Sequence, residues 1–127
     1  MITEFIDKFQ DIKPELLKHF SEKEPDSYED IFKQTIEMMF KDCNEYSYPD
    51  FERITVIDHG DYQGTLVFVI GGCEYQTSNY WMTSVDYGSC SGCDTFQAYS
   101  DWDNPEESAP HMITMALHMI EGMTKIL

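Results

Sequence analysis

The apolar residues of this chain change period twice, and that pattern restricts the fold more than any other feature. From the N-terminus, Ile2, Phe5, Ile6, Phe9, Ile12, Leu16 and Phe20 recur mostly at steps of three and four, the spacing that puts side chains on one face of a helix. Pro14 interrupts the stripe, which predicts either a kink or a second helix beginning with the proline in its first turn. Glu24-Pro25-Asp26 then ends the segment. A second helical stripe follows at Tyr28, Ile31, Phe32, Ile36, Met39, Phe40 and Cys43, opened by Ser27 and Asp30 as a capping pair. Glu29, Lys33, Glu37 and Lys41 fall at four-residue intervals on the other face, where ion pairs support a solvated helix surface.

After Tyr48-Pro49-Asp50 the period drops to two. Arg53 to His59 alternates apolar with polar and reads as a strand, and Gly60-Asp61-Tyr62-Gln63-Gly64 reads as a turn. Thr65 to Gly71 is β-branched and apolar on both faces, which predicts a central strand covered on both sides. Asn79 to Tyr87 alternates again, and the short connections predict an antiparallel meander. A polar and aromatic stretch runs from Gly88 to Asp103. A last helix then starts at Asn104-Pro105-Glu106-Glu107 or at Ser108-Ala109-Pro110, with its stripe at Met112, Met115, Ala116, Met119, Ile120, Met123 and Ile126. The expected fold is one α+β domain over residues 1–127. It has two N-terminal helices, a three-stranded antiparallel sheet, a cysteine-containing loop and a C-terminal helix packed on the sheet.

Charge narrows the function classes. The net charge is −16 over 127 residues, and no Lys or Arg occurs between Arg53 and Lys125. Phosphate backbones and anionic lipid surfaces are bound by Lys and Arg, so direct nucleic-acid or membrane binding is not expected. An acidic surface is steered toward basic patches on other proteins, and acidity also serves solubility. The opening residues Met1 to Asp7 carry neither a basic region nor a long apolar stretch, and the longest apolar run is Leu66 to Ile70. These features predict a cytoplasmic chain whose four cysteines are reduced thiols or metal ligands rather than a disulfide framework.

The sharpest local motif is Tyr87-Gly88-Ser89-Cys90-Ser91-Gly92-Cys93-Asp94. Two thiols at this spacing in a glycine-flanked loop face one point, which suits a zinc knuckle or a dithiol switch. For zinc, Cys73 is a third sulfur at the end of the central strand, and the fourth ligand lies among Cys43, His59, His111 and Asp94. For redox chemistry, Cys90 is the attacking thiolate and Cys93 the resolving thiol. Asp94 beside them disfavours the thiolate, and no strand pair follows to complete a thioredoxin-like fold. The plainer alternative makes Cys90 and Cys93 small buried hydrophobes. Cys43 falls on the apolar stripe of its helix and belongs to the core.

The remaining motifs point to structure. Met112, Met115, Met119 and Met123 form a stripe that suits packing on a sheet, with a pliable docking groove or soft-metal path as its functional counterpart. His111 and His118 stand two helical turns apart, too far to share a metal. Gly88-Ser89-Cys90-Ser91-Gly92 lacks the strand–helix context of a hydrolase nucleophile. Asp101-Trp102-Asp103 with Asn104, Glu106 and Glu107 lacks the layout of a calcium loop.

The stretch Val85-Asp86-Tyr87-Gly88-Ser89-Cys90-Ser91-Gly92-Cys93-Asp94-Thr95-Phe96-Gln97 resembles a loop of small uncharacterised bacteriophage and prophage proteins. The resemblance implies a bacterial host cytoplasm and an accessory role, and brings no activity with it. The function expected from these features is a non-enzymatic acidic accessory protein binding a basic surface of a host protein. A structural zinc domain on Cys73, Cys90 and Cys93 is the alternative, and a CxxC thiol-redox protein the third possibility.

Overall fold

The computed structural model describes residues 2–41, 48–60, 64–73, 79–87 and 103–126. Its elements are α1 (Ile2–Glu22), α2 (Tyr28–Phe40), β1 (Pro49–Gly60), β2 (Gly64–Gly72), β3 (Tyr80–Tyr87), α3 (Pro105–Glu121) and β4 (Thr124–Ile126). The class is α+β, with an antiparallel sheet in the order β1-β2-β3-β4.

α1 runs unbroken through Pro14, where the sequence predicts a kink or a restart. A proline inside a helix frees the carbonyl four residues earlier, here Gln10. Both Gln10 and Pro14 are exposed, so water takes the freed group. Phe5, Phe9, Leu16 and Phe20 are fully buried, as their stripe predicts. α2 begins at Ser27, whose Oγ accepts the Asp30 N–H at 3.2 Å, while Asp30 Oδ2 accepts the Asp26 N–H at 3.0 Å. The return arm of this capping box thus reaches one residue further back than usual. Glu29 and Lys33 pair at 3.5 Å, and Lys41 reaches across to Glu15 of α1 at 3.9 Å.

α3 takes the earlier of its two expected starts, with Asn104 at the N-cap and Pro105 in the first turn. Pro110 lies inside it on an exposed position. The helix ends sooner than its apolar stripe predicts. The Gly122 N–H closes onto His118 O at 3.0 Å and the Met123 N–H onto Ile120 O at 3.2 Å. The chain then turns back as β4, a fourth strand beside the three expected ones. Tyr80, Trp81 and Met82 pair with Ile126, Lys125 and Thr124. The turn is possible because Gly122 passes close to β3: a Cβ there would sit 3.1 Å from Thr83 Oγ1.

Alternation along the strands divides the sheet into two faces. One carries the rows Val56–Phe68–Thr83 and Ile54–Ile70–Trp81, with Phe68, Ile70 and Trp81 almost wholly buried. α2 packs against β1, α3 against β3, and α1 mainly against α3. Phe32 of α2 stacks on Phe68, with ring centroids 4.7 Å apart, and Phe5 of α1 approaches Trp81 at 6.1 Å. The methionine stripe is core, since Met112, Met115 and Met119 of α3 and Met123 just beyond its end are all buried.

The buried Thr83 hydroxyl donates to Met119 O at 2.7 Å, one of the carbonyls a helix leaves without an internal partner at its C-terminus. Phe68→Ala is expected to lower unfolding free energy by about 3–5 kcal/mol through cavity formation. Thr83→Val should cost about 1–3 kcal/mol by orphaning that carbonyl. Urea denaturation of the two variants checks both.

Candidate docking surface

The other face of the sheet takes no side chain from the helices. Its rows are Ile57–Val67–Ser84, then Thr55–Val69–Met82–Thr124, then Gly71–Tyr80–Ile126. The sequence predicts that β2 is covered on both sides, but its Val67 and Val69 are only half-buried. The helix-facing side holds half-buried Leu66 and buried Phe68 and Ile70, and among the described residues no element covers the alternate ones. Ile57 is 50% exposed, Met82 39% and Tyr80 37%. With Val67, Val69 and the half-buried Ile126, they form an apolar band running diagonally from β1 to β4. Exposed apolar residues are ordinary singly, whereas a contiguous set on one face marks a contact surface.

A shallow hollow of about 290 Å³ opens beside this band, lined by Glu52, Arg53, Thr55, Val69, Gly71 and Tyr80 among others. Gly71 contributes no side chain and so leaves its floor low. Arg53 is held at the rim by a hydrogen bond from Nη1 to Gly72 O at 2.8 Å and by Asp50, whose Oδ2 lies 3.3 Å from Nε. Asp50 thus offsets the Arg53 charge, and Glu52 adds a carboxylate. On the opposite side, Asp86 Oδ1 accepts the Thr65 hydroxyl at 2.8 Å on exposed surface. The diagonal apolar band therefore has an acidic group on each flank, Glu52 on the β1 side and Asp86 on the β3 side.

A second hollow of similar size lies between α1 and α2, lined in part by Lys8, Ile12, Met38, Phe40 and Tyr48. Both cations lining it, Lys8 and Lys41, are engaged: Lys41 pairs with Glu15, Lys8 Nζ lies 4.6 Å from the Tyr48 ring centroid, within cation–π range, and the Tyr48 hydroxyl donates to Glu4 at 2.7 Å. This arrangement holds the start of β1 against α1.

Of the residues expected to bind metal, Cys43, Cys90, Cys93 and Asp94 lie outside the described residues. His59 stands on β1 opposite Thr65, and His111 is exposed on α3. Cys73 follows β2, and its N–H donates to Tyr48 O at 3.1 Å, fastening the end of β2 to the start of β1. Cys73 is disulfide-bonded, in place of the reduced thiol the sequence predicts. Its sulfur lies 3.6 Å from Pro49 O, a contact rather than a hydrogen bond because a disulfide sulfur carries no proton. Zinc is bound by thiolate, so this oxidised form and a Cys73-ligated zinc centre exclude each other. Among the described residues no group of three or more His, Cys, Asp or Glu is placed to hold a metal, and no helix is long and apolar enough to cross a membrane.

No family model matches the chain, and neither a curated protein nor a solved structure matches it significantly.

The two faces of the sheet should respond differently to the same change. Ile57→Thr is expected to shift unfolding free energy by no more than about 0.5 kcal/mol. Ile70→Thr, which buries a hydroxyl and removes a methyl, should cost more than about 2 kcal/mol. Chemical denaturation of both variants tests the assignment of faces. Intact-mass spectra of untagged protein purified without reductant or chelator should show a chain lighter by one pair of hydrogens for each disulfide. A stoichiometric zinc adduct, lost in Cys90→Ser, would instead place the chain in the reduced, metal-bound form.

Proposed function

We propose that this chain is a non-enzymatic acidic accessory protein that binds a basic surface of another protein, in keeping with its resemblance to phage-encoded proteins acting in a bacterial host. The observation that carries this reading is the separation of charge in the fold. Six of the eight basic residues precede β1. The sheet carries only Arg53, which is paired to Asp50, and Lys125. α3 carries no Lys or Arg, and Glu106 and Glu107 stand in its first turn. The part of the molecule built from the sheet and α3 thus presents a predominantly acidic surface, which attracts cations and repels polyanions.

Binding of this kind is screened by salt, because the Debye length falls from about 10 Å at 0.1 M to about 3 Å at 1 M ionic strength. Capture from bacterial lysate at low ionic strength is expected to enrich a small set of Lys- and Arg-rich proteins. They should be released as salt approaches about 1 M. An unrelated protein of equal net charge is the control, and enrichment no different from that control would sink the proposal.

A further inference from the structure

We propose that the open face of the sheet is the docking site, and that its occupant is a basic amphipathic helix of a partner protein. The inference rests on the basic-partner reading above and adds where the contact is made and by what element. The band Ile57, Val67, Val69, Met82, Tyr80 and Ile126 crosses three strand spacings, from β1 to β4, and four residues along β2. At about 4.8 Å per spacing and about 3.3 Å per residue, it is about 20 Å long. A helix rising about 1.5 Å per residue covers that length with about thirteen residues, or between three and four turns.

The type of element follows from what a sheet face offers. β2 spends its backbone groups on ladders with both neighbours, as β3 does over Tyr80–Met82, and ladder bonds lie in the plane of the sheet, so an extended segment laid on the face would leave its own N–H and C=O groups unpaired, a cost of order 1–3 kcal/mol for each buried group. A helix satisfies its backbone internally and brings only side chains to the contact. A second copy of this chain would present its own paired sheet. It would also bring a second net charge of −16 and set Glu52 and Asp86 against like charges. Charge complementarity therefore favours a helix with apolar residues toward the band and Lys or Arg on its flanks, near Glu52 at the hollow on one side and Asp86 on the other. An apolar side chain of that helix enters the hollow beside Gly71 and Tyr80.

The test uses the full chain and a synthetic peptide of about eighteen residues with leucines at helical spacing and lysines elsewhere. A peptide of equal composition with its leucines scattered is the control. Binding is followed by fluorescence anisotropy and mapped by amide shifts in ¹⁵N spectra. The expected result is shifts centred on residues 55–57, 67–69 and 80–84, and at least tenfold weaker binding in the charge-neutral double variant Ile57→Thr/Met82→Thr. Glu52→Gln/Asp86→Asn, which leaves the band intact, should weaken binding and flatten its salt dependence. Equal binding of both peptides, or shifts elsewhere that survive both double variants, overturns this inference. In that case salt-sensitive binding leaves the basic-partner reading standing. If neither peptide binds at low salt, both fall. A dimer in sedimentation that Ile57→Thr/Met82→Thr dissociates assigns the face to a second copy and likewise overturns the inference.

Discussion

The aromatic layer between the helices and the sheet is the contact on which the rest of the structure depends. Phe32 lies nearly flat on Phe68, with an interplanar angle of 26°. Phe5 meets Phe40 edge-on at 5.3 Å and tilts over Trp81. Through these few rings α1 touches both α2 and the sheet, and α2 touches the strand at the centre of the sheet. Rings of this size bury much surface at little cost in side-chain freedom, which suits a chain of 127 residues with limited apolar area to spend. The same concentration has a consequence on the other side. The large apolar side chains of the helices are directed into one layer, so the alternate residues of the strands find no cover within the described chain.

The sequence was informative wherever one period dominated a segment. The stripes of α1 and α2 were legible because each has one buried face: Phe5, Phe9, Leu16 and Phe20 of α1 and Tyr28, Ile31, Phe32, Ile36, Met39 and Phe40 of α2 are found in the core. Two strands were legible by alternation and β2 by its β-branched apolar run, to within a few residues at their ends. β4 was not, because Met123 and Ile126 continue the spacing of α3 and three residues are too few for a period of two to show. Pro14 does not restart the helix, because its cost depends on whether the freed carbonyl meets water, which periodicity does not report. β2 misled in a useful way. Apolar residues on both faces of a strand say that both faces avoid water, but not that both are covered by the same chain. The open face was thus present in the sequence as an excess of apolar strand surface over the helices available to cover it.

The cysteine motif shows the opposite limit. Cys90 and Cys93 have a spacing that suggests chemistry, yet they lie outside the described residues. The one described cysteine, Cys73, fastens the junction of β1 and β2 through its backbone N–H and is disulfide-bonded. Sequence spacing has no means of separating a thiolate ligand from half of a disulfide, since both need the same residue at the same place. The oxidation state distinguishes them, and that depends on surroundings as well as on sequence.

Exposed β-structure invites association through its edges as well as its faces, and the two are treated differently here. β1, at one edge, begins with Pro49 and carries Asp50, Glu52, Arg53 and Asp58 along its length, and its pairing shifts register between Pro49 and Ile54. β4, at the other edge, is three residues long. Proline, charge, irregular register and brevity are the devices by which natural sheets keep a further strand from adding. No comparable device guards the centre of the open face, where Val67, Val69 and Met82 meet without a charge among them. Edges that discourage pairing around a face that remains apolar favour side-chain packing there, and the acidic groups flanking the band fit the cationic partner proposed above. On these grounds the proposed contact surface lies across the strands rather than along them.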